Sequence, residues 1–555
     1  ISVITSHYII QNQPGCKTVG ANLKIDCIMH WMRGFLIVLL AAHTALALAQ
    51  PQPEAVKLSA EEDRFDILEF QVEGNSVLPA LTIEETVYPF MGEMKSFKEV
   101  EQARLALEKA YHDAGYLSVL VDIPEQEVNQ GNVRLNVVEA QVERLKVSGS
   151  RFYSLGYIKS KTPDLAEGSV PHFPTVQKQL AEVNRSADRR VTPVLRPGRS
   201  PGKVEVELKV ADDLPLHGNI ELNNRYSANT TRTRLSGSLR YDNLWQRDHS
   251  VSLQFQVAPE DINESKVFSA NYVVPLARGN VLALYAVRSD SDTGALGDVS
   301  VIGNGNIFGL RFIHPLRGHE GFYHSLTAGI DYKAFDETVN LLGSDSFNTP
   351  ITYTPFTLGY DATWQGERRQ SQFGATVNFS VRGLGNREQE FADKRFNAKA
   401  DYAYLRLDLK HTEKFSHGWS LFGRLSGQLA NAPLISNEQF GAGGADSVRG
   451  YLETEALGDR GAIGGLELRT PSLWSVESGI PGQAYALGFV EGAYLDVQEP
   501  LDSQTARTYL SSGGLGLRWK ARSFSLNMDV ALPYKGTPNT RARDPRVHAR
   551  LSYDF

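Results

Sequence analysis

From about Leu216 to Phe555 the chain is written in segments of roughly ten residues that alternate apolar and polar, the pattern of a β-barrel wall. Val251, Leu253, Phe255 and Val257 alternate with Ser252, Gln254 and Gln256. Phe373, Ala375, Val377, Phe379 and Val381 alternate with Gly374, Thr376, Asn378, Ser380 and Arg382. Phe524, Leu526, Met528 and Val530 alternate with Ser525, Asn527 and Asp529. Period two puts each apolar set on one face of a strand. A soluble sandwich would bury that face in a core. A membrane barrel would turn it to lipid and the polar face to a wet lumen, and the number of such segments favours the barrel. About 340 residues at ~40 per hairpin predict roughly 16–18 antiparallel strands. A barrel that wide leaves a lumen able to conduct.

The composition narrows the class. The chain has 555 residues, 57 basic and 64 acidic, for a net charge of −7. A nucleic-acid binder usually carries a strongly basic domain, so none is expected as a partner. The mean hydropathy of −0.29 argues against a helical membrane bundle but not against a barrel. The longest apolar run, Phe35 to Ala49, is too short to span comfortably. Arg33 precedes it, Ala47-Leu48-Ala49 offers a cleavage site, and Gln50-Pro51-Gln52-Pro53 would break any helix. Residues 29–49 therefore read as a signal peptide starting at Met29 or Met32, and residues 1–28 as an upstream extension. Both cysteines, Cys16 and Cys27, lie in that extension. A cysteine-free exported chain suits the periplasm or outer membrane.

Two small α+β modules are expected between export signal and barrel. In residues 65–140, Ile67, Phe70 and Val72 mark a strand. Thr82 with Glu85, and Ser96 with Glu99, read as capping boxes of two helices. Val100, Ala103, Leu107, Ala110 and Ala114 form one helical stripe stopped by Gly115. Strands at Tyr116–Asp122 and around Val133, Leu135 and Val137 follow. Residues 141–213 repeat the order more loosely. Leu145 and Val147 start it, a helix carries Val176, Leu180 and Val183, and Val204, Val206, Leu208 and Val210 end it. Three-stranded sheets of this kind leave edges that can accept an extended peptide as an added strand. The barrel is assigned to residues 214–555 and a short leading segment to 50–64.

Within the barrel lies Gly443-Gly444-Ala445-Asp446-Ser447-Val448-Arg449-Gly450-Tyr451-Leu452-Glu453, followed by Gly458-Asp459-Arg460-Gly461 and Glu467-Leu468-Arg469. An arginine in a narrow lumen needs a partner, because an unpaired, partly desolvated charge is costly. With the paired modules, the Leu216-His217-Gly218 to Tyr241-Asp242-Asn243-Leu244-Trp245 stretch and the terminal Phe555, this loop resembles that of the two-partner secretion transporters. These are the haemolysin secretion/activation proteins of the barrel-assembly superfamily.

The resemblance implies a 16-stranded outer-membrane β-barrel behind two periplasmic polypeptide-transport-associated (POTRA) domains. It implies export of one large unfolded exoprotein of haemolysin, adhesin or contact-dependent toxin type. The loop Val448, Arg449, Gly450, Tyr451 would tuck into the lumen as a gate. Its arginine would pair with an acid in a wall motif Phe-x-Asp-x-Gly. Phe489-Val490-Glu491-Gly492-Ala493 matches that motif, with Glu491 for Asp and Ala493 for Gly. Asp446 and Asp459 are rival partners. The alternating end at Phe555 resembles the signal read by the barrel-assembly machinery, so that machinery and outer-membrane lipid and lipopolysaccharide are expected contacts. Some members carry an N-terminal plug helix. Gln50 to Arg64 would span ~22 Å as helix with no linker left, so no full plug is expected.

Enzymatic readings fare poorly. There is no G-x-x-x-x-G-K-[ST] loop and no G-x-S-x-G elbow. His319-Glu320 and His324 have a spacing of five rather than the four of the zinc helix motif. Asp290, Asp292 and Gly294 echo a calcium loop, but its closing position would be Val301. No catalytic residue, metal or cofactor is expected, and a monomer is. A barrel insertase of the same superfamily is the alternative, and a passive pore ranks last.

Overall fold

A computed structural model describes residues 64–555 apart from 129, 292, 297–298, 337, 342–344, 475–478 and 480. The expected extension, signal peptide and plug region lie outside the described residues.

The first module has strands β1 (Phe65–Ile67), β2 (Glu69–Glu73), β3 (Gly92–Lys95), β4 (Val119–Asp122) and β5 (Asn132–Glu139). Its helices are α1 (Ala80–Val87) and α2 (Phe97–Asp113). The main sheet has the order β2-β5-β4, with β2 parallel and β4 antiparallel to β5. Strict alternation on β5 sends Val133, Leu135 and Val137 into a core with Val100, Ala103, Leu107 and Tyr111 of α2. Ser96 caps α2 and Glu99 returns the bond to the Ser96 amide at 2.9 Å, a complete capping box. That bonding draws the pKa of the half-buried Glu99 carboxyl down to about 2.

The expected box at Thr82 does not form. Pro79, with φ −60°, already sits at the N-cap of α1, so Thr82 falls inside the first turn and its carbonyl accepts from Thr86. Strand β4 starts at Val119 rather than Tyr116. The Tyr116 amide closes the end of α2 on the Tyr111 carbonyl at 2.9 Å, past Gly115 at φ +95°.

The second module has β6 (Gln141–Ser148), α3 (Leu155–Ser160), α4 (Phe173–Val183), β7 (Arg189–Pro197) and β8 (Lys203–Asp212). Its sheet order is β6-β8-β7. The modules join where the Phe173 amide bonds the Gly115 carbonyl at 2.9 Å.

Sixteen of the strands that follow close one antiparallel barrel, and short two-stranded ribbons lie outside it. They are β9 (Leu216–Asn223), β10 (Arg234–Leu244), β11 (His249–Val257), β12 (Lys266–Pro275), β13 (Val281–Asp290), β14 (Gly305–Pro315) and β15 (Phe322–Phe335). Strand β16 is broken into Ile351–Tyr353 and Phe356–Gln365, both paired with β15. Then come β17 (Arg369–Phe379), β18 (Ala403–Lys414), β19 (Ser420–Ala430), β20 (Arg460–Arg469) and β21 (Gln483–Asp496). The last are β22 (Arg507–Ala521), β23 (Phe524–Pro533) and β24 (Arg546–Asp554).

The alternation has its expected consequence. Leu253, Leu429 and Leu515 stand 56, 61 and 72% exposed on the outside, while Gln256 and Asp529 face in at 9 and 6%. Leaving each such leucine in water would forfeit ~2 kcal/mol, so the outer surface suits lipid. The barrel closes where β24 meets β9, from Arg550 opposite Asn223 to Asp554 opposite Asn219. Phe555 and Gly218 exchange backbone bonds of 2.9 Å in both directions. A Cβ on Gly218 would lie 2.1 Å from the Phe555 ring. Gly218→Val should therefore displace that ring and lower the folded, heat-modifiable fraction on a semi-native gel. An unchanged fraction would show that the ring contact does not contribute to closure.

Candidate functional site

The loop between β19 and β20 folds back inside the barrel. Gly443 and Gly444 turn it with φ of +111° and +104°, values open to glycine. The Gly443 amide bonds the Ser447 hydroxyl at 2.7 Å. Val448 and Tyr451 are fully buried against Ile463, Ala493, Leu495 and Leu510 of the wall. The Tyr451 hydroxyl donates to the Lys535 carbonyl at 2.9 Å. Gly450 has φ +97°, and a Cβ there would sit 3.3 Å from Pro533. Its amide donates to His548 Nε2 at 3.1 Å, so that ring nitrogen is the unprotonated one.

Arg449, 2% exposed, reaches three wall carboxylates. Its Nη2 lies 2.6 Å from Glu491 and 2.7 Å from Glu467, its Nη1 3.2 Å from Asp529, and its backbone amide 2.8 Å from Glu491. The guanidinium stacks 3.6 Å from the ring centroid of Phe489. Phe489 and Glu491 are two apart on β21 and so share the lumen face. Burial opposes the charge on Arg449. The Glu491 bond and the fields of Glu491, Glu467 and Asp529 outweigh it and hold the group above its ordinary range.

Each acid also has a second arginine. Arg424 lies 2.7 Å from Glu491, Arg469 2.6 Å from Glu467 and Arg518 2.9 Å from Asp529. Glycines make the room. Gly465 stands opposite Glu491, and a Cβ there would lie 3.2 Å from both Glu491 Cγ and Arg424 Nε. A Cβ on Gly514 would be 2.6 Å from the Phe489 ring. The longer Glu491, in place of the aspartate of the family motif, thus has both space and a second partner.

The rival acids go elsewhere. Asp446 pairs with Arg225 at 2.7 Å. Asp459, fully buried, takes Arg395 at 2.7 Å together with the amides of Leu434 and Gln498. Glu438 anchors the same loop to β15, β16 and β18, accepting from Lys333, Tyr353 and Tyr404 at 2.6, 2.6 and 2.7 Å. Reasoning from sequence singled out Arg449, Phe489 and Glu491 but missed the roles of Glu467, Asp529, Arg424, Arg469, Arg518 and His548. The signal for Glu467 was in view: Glu467-Leu468-Arg469 puts an acid and a base on one face of a strand. His319 and Glu320 lie just before β15 and His324 lies on it, where His324 bonds Tyr360 and the Arg317 carbonyl.

A closed barrel of sixteen strands with an apolar outer face, a loop ion-paired to its inner wall and α+β modules before it defines a membrane-barrel protein whose lumen is entered by one of its own loops. Comparison with known proteins makes this specific. Residues 202–518 match the family model of the haemolysin secretion/activation protein ShlB/FhaC/HecB, and residues 65–140 match the POTRA domain, ShlB-type. The chain belongs to this family of two-partner secretion transporters, which act in the outer membrane with POTRA domains in the periplasm. It is 21% identical over 463 residues to the outer membrane transporter CdiB of Dickeya dadantii, covering 81% of this chain and 80% of that one. It is 21% identical to the heme/hemopexin transporter protein HuxB of Haemophilus influenzae strain 86-028NP, covering 80% and 79%. The solved CdiB of Escherichia coli shares the fold with a TM-score of 0.60 at 18% identity, covering 97% of this chain and all of that one.

Removing one partner of a buried ion pair usually costs about 3–5 kcal/mol. Arg449→Ala leaves every wall acid with its own arginine, so we expect roughly 1–2 kcal/mol in detergent unfolding. Glu491→Ala strands the Arg449 amide and removes the acid shared by Arg449 and Arg424, so it should cost more. The reverse order of unfolding midpoints would contradict the shared-acid arrangement.

Proposed function

We propose that this chain exports a large, unfolded partner exoprotein through its lumen, with the Val448–Tyr451 loop as the gate. The observation that carries the reading is the pairing of Arg449 with three acids that each keep a second arginine. Such a contact holds the loop on the wall, yet its release leaves no bare carboxylate behind. That lowers the cost of opening relative to an ordinary buried pair. The exoprotein docks on the periplasmic modules, the loop moves off the wall, and the chain passes extended along polar side chains. Folding outside biases the movement, because a folded segment cannot return.

The sequence carries no phosphate-binding loop motif, and the reading here is of a transporter rather than an enzyme. Haemolysin, adhesin and contact-dependent toxin cargo all fit the same lumen chemistry. The barrel, closed edge to edge, offers no free strand for self-association and is read as a monomer. Its insertion is assigned to the barrel-assembly machinery, and its outer face to membrane lipid and lipopolysaccharide.

The test is co-expression with the large exoprotein encoded beside this chain. Exoprotein should reach the medium only when this chain is present. Arg449→Ala should reduce that secretion about tenfold or more while leaving the heat-modifiable barrel in the membrane. Secretion by Arg449→Ala at the unsubstituted rate would end the gate assignment.

A further inference from the structure

A polar lumen is expected of a transport barrel, yet part of this one is a hydrophobic core. Val267, Val287, Ile307, Phe335 and Tyr353 are buried in one cluster at neighbouring ends of β12 to β16. They turn inward, since Phe268 and Phe308, each next in sequence to one of them, are exposed on the lipid face. Strand β9 follows the periplasmic modules, so these strand ends are the extracellular ones. The rest of the cluster does not come from the wall alone. The loop between β17 and β18 carries helix α5 (Glu388–Lys394) and buries Phe391, Ala398, Ala400 and Tyr402 in it. The Phe391 ring lies 5.5 Å from that of Tyr353, edge on, and 6.0 Å from that of Tyr402. A packed interior leaves no room for a passing chain. Strands β20, β21 and β23, which hold Arg449, contribute no described residue to this core, so freeing Arg449 leaves it in place.

The β17–β18 loop is fastened in two ways. Its own bonds make it one body. Asn386 Nδ2 reaches Ser380 Oγ at 2.7 Å and the Val381 and Ala400 carbonyls at 3.0 Å, and the Ala400 amide donates to Glu388 at 3.2 Å. Other bonds tie that body to its surroundings. The Thr352 amide donates to Glu390 at 2.8 Å, and the Asn397 side chain to Glu499 at 2.6 Å. Arg395 reaches furthest, forking onto the carboxylate of Asp459 and donating to the Leu434 carbonyl and, at 2.9 Å, to that of Gln498. Without Arg395, Asp459 still accepts from the Leu434 and Gln498 amides and the Gln439 side chain, at 2.9, 2.7 and 3.1 Å. Departure of the arginine therefore does not leave the carboxylate bare.

We propose that the β17–β18 loop is an outer lid on the lumen, separate from the Arg449 contact and latched by Arg395 on Asp459, and that export requires it to lift. The lid turns as a body about its neck, where the Ser380 amide bonds the Tyr402 carbonyl at 3.0 Å. Arg395 is a positioning residue: its planar fork fixes α5 over the mouth and so seats Phe391 against Tyr353. Two closures then stand in series, a charged one at Arg449 and a dry one under α5. The role in export rests on the exporter reading, while the closure itself is open to test without cargo.

The experiment bridges the lid to its seat in the full-length chain. Asn397→Cys and Glu499→Cys are joined by a short, reducible thiol crosslinker added to cells that also make the neighbouring exoprotein. The bridge should cut secretion about tenfold or more, and a reductant should restore it. Either cysteine alone, treated alike, should secrete at the unsubstituted rate. Undiminished secretion with the bridge complete would overturn the lid and leave the exporter reading standing. A second measurement needs no exoprotein. In planar bilayers, Arg395→Gln should raise the open fraction of the pore about tenfold over the unsubstituted chain. An unchanged open fraction would overturn the latch. Failure of the unsubstituted chain to deliver exoprotein to the medium would instead remove the exporter reading, and the open fraction of Arg395→Gln would still decide the latch.

Discussion

The ion cluster around Arg449 is the constraint on which the interior of the barrel depends. One guanidinium meets three carboxylates from three strands, 2.6 to 3.2 Å away, with an aromatic ring beneath it. A charge buried to this degree is tolerable only when paired. Arginine suits the place because its planar fork can serve several acceptors at once and is never neutral. The cluster dictates what surrounds it. Gly465, Gly514 and Gly516 lie on the lumen face where a Cβ would strike Glu491, Phe489 or Asp529. Gly450 takes a backbone angle that its loop requires beside Pro533.

The cluster differs from a permanent structural bridge in its redundancy. Arg424, Arg469 and Arg518 each remain with one acid if Arg449 leaves. Four cations for three anions leave each wall acid an arginine of its own besides Arg449. The same loop is held at its base by Asp459 and Glu438, whose contacts lie on other loops and on β15, β16 and β18. In the proposed gate, the tip would move while these contacts keep the base anchored.

Much of this was legible before any coordinates. Period-two alternation identified the barrel because lipid and lumen impose opposite polarity on alternate residues. Ser96 and Glu99 announced their cap because the spacing alone satisfies both amides. Arg449, Phe489 and Glu491 were reached through family resemblance combined with the need of a buried arginine for an acid. Glu467, Asp529 and the three wall arginines were not, because strands remote in sequence become neighbours only through barrel register. Thr82 misled for a local reason, since Pro79 began its helix one turn early. The sheet edges misled more usefully. Composition predicts open edges, but capping of β4, β6 and β7 by His112, Glu108, Arg104, Glu167 and Asn184 depends on tertiary placement.

The most direct test of the central claim locks the loop to the wall. The chain from Gln50 onward has no cysteine, and a Cβ on Gly450 would lie 3.4 Å from that of Ala531, close to disulfide range. Gly450→Cys with Ala531→Cys, oxidised in cells also making the exoprotein, should stop secretion, and a reductant should restore it. Undiminished secretion with the disulfide fully formed would show that the loop need not leave the wall.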